Sequence, residues 1–168
     1  MSALTFDILR LLSDGAFHSG EALAQRLDLS RASVWQALQG VEQYGVEIHS
    51  IRGKGYRMSQ AIEWLDAARI AAAAGDAGKR LSLELFDQLE SSNSVLLRRA
   101  AQCTSGTVLA CEWQSAGRGR RGRTWLSPPA GTFYGSVGWV FNEGFQVVEG
   151  LSLAIGVAVV RALTACGV

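Results

Sequence analysis

Along residues 4–43 the apolar positions fall three or four apart, in three short blocks. Phe6, Ile8, Leu9 and Leu12 make the first, and Asp14-Gly15 stops it. Ser19 is placed to cap a second helix with Leu23 and Leu27 on one face, and Asp28-Leu29 to turn the chain. Ser30 caps a third helix, predicted to run to about Gln43, with Val34, Leu38 and Val41 inward. Helix, short turn, helix is a helix-turn-helix. The period then shortens to two. Val46 to Ile51 alternates as a strand, Arg52-Gly-Lys-Gly55 turns it, and Tyr56-Arg57-Met58 returns. This is a two-stranded wing.

Residues 59–80 break the pattern and predict a linker with a hinge, in which Asp66 caps a short alanine-rich helix that ends before Gly75. Alternation resumes at Leu81 to Phe86, a strand, with a turn over Asp87 to Ser91. A helix then begins at Ser91-Ser92-Asn93. Thr107 to Trp113 and Thr132 to Phe141 predict two more strands, with a turn at 142–144. Glu149 to Ala165 predicts a helix, apolar on most faces and therefore expected to be buried against a sheet.

Charge changes the picture at one place. The chain of 168 residues carries a formal net charge of only +1 and is 48% hydrophobic, a globular composition of one or two domains. The basic excess is gathered at 117–123, Gly-Arg-Gly-Arg-Arg-Gly-Arg, followed by Thr124-Trp125. Glycine lets a backbone approach a ligand closely, and arginine offers a permanently charged planar fork for phosphate or carboxylate. Such a run also suits a nucleic-acid tail, but the flanking strands make it a loop on a scaffold. Ser91, Ser92 and Asn93 either cap a helix or bind an oxygen-rich group, and the two roles are compatible. Trp125 packs over a ligand or fills a core.

Other signals are weaker. Cys103, Cys111 and Cys166 lack metal-ligand spacing and read as buried free thiols in a reducing cytoplasm. No secretory leader is expected, and Leu151 to Val160 is too short to span a bilayer. His18 and His49 read as packing or surface residues. In the front module Ser30, Arg31, Ser33, Gln36 and Gln39 on the third helix, with Arg52, Lys54 and Arg57 on the wing, are the types that read base edges and phosphates.

With these residues placed, the chain resembles the bifunctional biotin–protein ligases that also repress biotin-synthesis operons. Phe17-His-Ser-Gly-Glu21 and Leu29-Ser-Arg-Ala32 look like the family's helix-turn-helix, and Gly53-Lys-Gly-Tyr56 like its wing. Ser91-Ser-Asn93 stands where the family has Ser-Thr-Asn at the biotin site, and Gln114 to Trp125 is nearly its ligand loop. The resemblance implies an α+β chain: a winged helix-turn-helix over 1–60, a linker over 61–80, and over 81–168 the first half of a class II synthetase-like catalytic domain. It implies that biotin and ATP, with Mg²⁺, give biotinoyl-5′-AMP, and that biotin passes to a lysine of the biotin carboxyl carrier protein of acetyl-CoA carboxylase. Retained adenylate would promote a homodimer that binds operator DNA.

The same resemblance implies site roles. Arg118 and Arg120 are the candidate catalytic contacts to biotin or its adenylate. Ser91, Ser92, Asn93, Gln114, Gly119 and Trp125 complete the binding set, and Gly117, Arg121, Gly122 and Arg123 hold the closed loop. No metal ligands are expected from the chain. The family's Lys-Trp-Pro-Asn-Asp-like motif and C-terminal β-barrel do not occur in these residues, and no lysine follows Lys79. The expectation is a chain weak in biotin transfer by itself. The alternative is a winged-helix regulator whose second domain senses biotin without catalysis; a lipoate-type acyltransferase ranks third.

Overall fold

The computed structural model describes residues 1–142 and 145–168. Residues 1–138 form one compact unit and residues 139–168 a second. In the first, α1 (Ala3–Leu12), α2 (Gly20–Leu27) and α3 (Arg31–Leu38) are each capped by a serine: Ser2, Ser19 and Ser30 accept from Thr5, Ala22 and Ser33 N–H groups. The cap oxygen satisfies one of the donors a helix leaves open at its start. Phe6, Ile8, Leu9, Leu12, Leu23, Val34 and Leu38 are buried, the stripe that the spacing marks out. Asp28 turns the chain in a left-handed conformation between α2 and α3.

The third helix is shorter than predicted. Gly40 is left-handed (φ 73°), and Val41–Tyr44 continues as a separate 3-10 turn. A left-handed glycine ends a helix whatever the apolar pattern beyond it. The wing is β1 (Ile48–Ile51) antiparallel to β2 (Gly55–Met58). Gly55, with φ 100°, lies so close to His18 that a Cβ there would overlap its carbonyl oxygen. That approach lets Tyr56 exchange backbone hydrogen bonds with His18, fastening wing to helix-turn-helix.

Asp66 caps α4 (Ala67–Gly78) by accepting from Arg69 N–H at 2.8 Å, and Gly75 departs from helical geometry as its sequence position predicts. A three-stranded sheet follows, in the order β3 (Ser82–Leu89), β4 (Thr107–Gln114), β5 (Tyr134–Gly138). β3 and β4 are parallel, crossing over through α5 (Ser92–Arg98); β4 and β5 are antiparallel. β3 runs to Leu89, so Asp87 is a strand residue and not part of the predicted turn. Its backbone is held by the parallel ladder, which pairs Gln88 with Trp113. β5 is shorter than the predicted 132–141. Of the predicted turn at 142–144, Glu143 and Gly144 lie outside the described residues.

In the second unit, α6 (Leu151–Ala165) is the predicted helix, but none of its residues is buried and Leu153 is 76% exposed. The expected burial is therefore not met within these residues. The cysteine reading also needs correction: Cys111 is buried, Cys103 half-buried and Cys166 exposed, all free. Among the described residues no helix is long and apolar enough to cross a membrane.

One polar joint ties the winged helix to the sheet. Arg10 of α1 makes a two-pronged hydrogen-bonded ion pair with Asp87 of β3, one arm at 3.1 Å, and its guanidinium lies 5.0 Å from the Trp64 ring centre. Beside it Glu112 of β4, 3% exposed, accepts from Leu65 N–H at 2.6 Å. Burial raises the Glu112 pKa above its ordinary value, while the Leu65 N–H and the Arg10 charge draw it partly back. The native state therefore holds this proton to higher pH than the unfolded chain. Its contribution to stability is complete below the ordinary carboxyl range and is lost as pH rises through the raised value. Glu112→Gln keeps an oxygen for Leu65 and removes the ionisation. In urea unfolding the variant is expected to gain up to about 1 kcal/mol over the wild type at about pH 8 and much less at about pH 4. Equal shifts at both pH values would contradict this.

Candidate functional site

The site is assembled where α5 starts beside the ends of β3 and β4. Ser91 caps α5, its oxygen accepting from Ser94 N–H at 3.4 Å. The first turn of the helix is then fixed from the sheet. Gln114, the last residue of β4, accepts at Oε1 from Ser92 N–H (2.8 Å) and from Ser92 Oγ (3.3 Å). Ser92 Oγ also lies 2.9 Å from Ser136 Oγ on β5. Three elements thus converge on Ser92, which is buried. Ser127 secures the other side of Gln114, donating to its carbonyl at 2.8 Å.

The arginine loop leaves β4 directly after this anchor. Arg118 reaches back to α5, donating from Nη2 to Ser94 Oγ at 2.6 Å. Trp125 returns against the start of the loop, where a Cβ on Gly117 would overlap its indole. A glycine is required there by close approach. Trp125 also meets Tyr134 of β5 edge-on, with centroids 6.4 Å apart. Together Ser91, Ser92, Asn93, Gln114, Arg118 and Trp125 line one cavity of 260 Å³. That is near the small end of ligand pockets, which run from roughly 300 to 1,000 Å³.

Six predicted binding residues are therefore brought together. Gly119, Arg120, Arg121, Gly122 and Arg123 are not among the cavity's lining. They form the loop beyond it, with Arg121 left-handed at φ 58° and the three arginine side chains exposed. Sequence reasoning missed Ser94, Phe133, Tyr134, Gly135 and Ser136, which complete the wall. Ser94 was findable as the next polar position of the α5 first turn. The β5 residues were not, because strand order is a tertiary fact. Among the described residues no group of three or more His, Cys, Asp or Glu side chains could hold a metal. Cys111, on β4, is fully buried, and burial pushes its thiol up to about 11.

The front module carries a second concavity, of 880 Å³, between α3, the start of α2 and the wing. Of the predicted nucleic-acid contacts, Arg31 and Arg52 line it. Ser33, Gln36 and Gln39 face another groove, beside Met1 to Thr5. Ser30 and Ser33 are 2.8 Å apart at their hydroxyls, engaged in the cap. Lys54 and Arg57 both lie over the Phe17 ring, at 5.9 and 4.8 Å. Ala32, Trp35 and Ile51, not singled out from sequence, stand in the groove instead. The signal was available: Trp35 follows Arg31 by four residues, hence on the same helix face.

Comparison with known proteins agrees with this two-part geometry. Residues 5–57 match an HTH domain, and residues 85–167 match the biotin/lipoate A/B protein ligase family. The chain is 40% identical over 160 residues to the bifunctional ligase/repressor BirA of Salmonella typhimurium, covering 95% of this chain and 49% of that protein. With BirA of Escherichia coli the identity is 37% over the same shares. The biotin–[acetyl-CoA-carboxylase] ligase of Mycobacterium tuberculosis is 42% identical over 80 residues, 46% of this chain and 30% of that protein. The chain spans about half the length of the BirA proteins it matches. The α+β fold class, with a helix-turn-helix ahead of a ligase-family domain, stands as the sequence predicts.

Gln114 is the joint of this cavity. Gln114→Ala leaves the buried Ser92 N–H and hydroxyl short of an acceptor and is expected to cost about 1–3 kcal/mol in urea unfolding. An unchanged unfolding midpoint would show that Ser92 does not depend on Gln114.

Proposed function

We propose that the cavity at Ser91–Asn93, Gln114, Arg118 and Trp125 binds biotin and its adenylate, and that the chain is the N-terminal part of a biotin–protein ligase and biotin-responsive repressor. The observation that carries the reading is the convergence of a serine-asparagine helix start, a glutamine anchor and one arginine on a single cavity beside a cationic glycine loop. Ser91, Ser92 and Asn93 supply small polar groups for a ureido ring, Trp125 an apolar wall, and Arg118 a charge for the carboxylate end.

In the reaction, biotin's carboxylate oxygen attacks the α-phosphorus of ATP, the bond to the bridging oxygen breaks, and pyrophosphate leaves. Two anions must approach, so the barrier is electrostatic. Preorganised arginines lower it by screening that repulsion where charge develops. Arg118, which lines the cavity, takes this role. Arg120, with Arg121 and Arg123, joins when the loop folds over the ligand, an ordering step common to glycine-rich active-site loops. Mg²⁺ would travel with the triphosphate, since it binds mainly to phosphates and water. The amine of an acceptor lysine then attacks the acyl carbon and releases AMP; the acceptor we propose is the biotin carboxyl carrier protein of acetyl-CoA carboxylase. The front module binds operator DNA as a ligand-promoted homodimer, with Arg31 and Arg52 beside the recognition groove. The compartment that fits three free thiols is the cytoplasm.

The experiment is calorimetric titration of biotin and of biotinoyl-AMP onto the 168-residue chain. Saturable binding of both is expected, weakened at least about tenfold in Arg118→Ala. Arg120→Gly is expected to speed adenylate loss while leaving biotin affinity nearly intact. No binding of either ligand would overturn the proposal. Pyrophosphate release from biotin and ATP marks the ligase; binding without it marks a biotin-sensing regulator.

A further inference from the structure

The groove between α3 and the wing is more apolar at its walls than phosphate contact requires. Trp35 on α3 is 55% exposed, and Ile51 at the end of β1 is 44% exposed. Both line the groove, and Ala32 stands one turn before Trp35 on the α3 wall. Large apolar side chains left in water on facing walls carry a hydration cost that folding alone does not relieve. The charge around them is selective. Arg31 lies four residues before Trp35, and Arg52 directly follows Ile51; Glu21, in the first turn of α2, is the acid among the groove-lining residues. The groove therefore sets two guanidinium groups beside an apolar strip.

We propose that Trp35, with Ala32 and Ile51, reads thymine by its 5-methyl group in the major groove of duplex DNA. This rests on the DNA-binding reading of the front module. The major-groove edges of adenine, guanine and cytosine present hydrogen-bonding atoms; thymine alone adds a methyl group there. An indole has no acceptor and a single donor, so it is a poor reader of the other three bases and a good surface for a methyl. Arg31 and Arg52 then hold the flanking phosphates, which fixes register without reading sequence. Ser33, Gln36 and Gln39, turned to the other groove, are not the specificity residues of this surface.

The test selects binding sites from a randomised duplex library with the whole chain in the presence of biotinoyl-AMP. Each thymine of the enriched site is then replaced by deoxyuridine, which lacks only the methyl. At one or two positions the wild type is expected to lose about fivefold in affinity, the scale of one buried methyl group plus its lost contacts. Trp35→Ala is expected to bind more weakly at the enriched site and to show no further loss on deoxyuridine replacement. Trp35 is exposed, so its removal spares the core; the wild-type replacement series does not depend on the variant at all. An enriched site insensitive to every thymine-to-deoxyuridine change, or sensitive to the same degree in Trp35→Ala, overturns the proposal and leaves DNA binding standing. Absence of any enriched site overturns the DNA-binding reading as well.

Discussion

The first unit of this molecule depends on β4. It is paired on both sides, in parallel to β3 and antiparallel to β5, and Leu109, Ala110 and Cys111 are fully buried. A strand so enclosed cannot slip by one residue without reversing every side chain. That fixes two polar groups near its end. Glu112 receives the Leu65 N–H from the linker, and Gln114 receives Ser92 from the start of α5. One strand register thus determines both how the winged helix is joined and how the Ser92 corner is shaped.

The loop that follows is built the opposite way. Arg118 has a side-chain partner in Ser94, whereas Arg120, Arg121 and Arg123 are held out in solvent. Arg121 also occupies a left-handed conformation, which costs a non-glycine residue roughly 1–2 kcal/mol. Exposed cations of one sign, close together, repel each other. An anion among them removes that repulsion and supplies acceptors for guanidinium donors. The two are opposite in kind: the corner is fixed by hydrogen bonds from three elements, whereas the loop concentrates exposed charge.

What could be read from sequence divides along the same line. Serine caps, the Asp28-Leu29 turn and the apolar stripe of α1 to α3 are local and came out where their spacing put them. The loop and the Ser91–Asn93 corner were legible because their chemistry is unusual and contiguous. The failures are of two kinds. Local geometry overrode pattern at Gly40, which cuts α3 short although Val41 continues the apolar stripe. Elsewhere the missing information was pairing: β3 extends through Asp87 because β4 lies alongside it, and Ser136 enters the site because β5 pairs with β4. The outward face of α3 divides between two grooves for a related reason. A helix wheel shows which positions are exposed, but the position of the wing decides that Arg31 and Trp35 border the groove while Gln36 does not.

A run of packed residues joins the helix-turn-helix to the cavity. Tyr44, just after α3, meets Trp113 of β4 edge-on with centroids 5.0 Å apart, and Gly45 approaches Pro128 so closely that a Cβ there would sit 3.2 Å from its ring. Pro128 follows Ser127, which grips the Gln114 backbone, and Trp125, which lines the cavity beside α5. Trp125 borders a second groove as well, one that includes Tyr44 and Gly45. Packed side chains transmit displacement because interiors have little free volume. Tyr44 and Gly45, just after the helix-turn-helix, thus pack directly on the segment that carries Trp125, Ser127 and Pro128, and one run of close contacts reaches from the front module to the wall of the cavity.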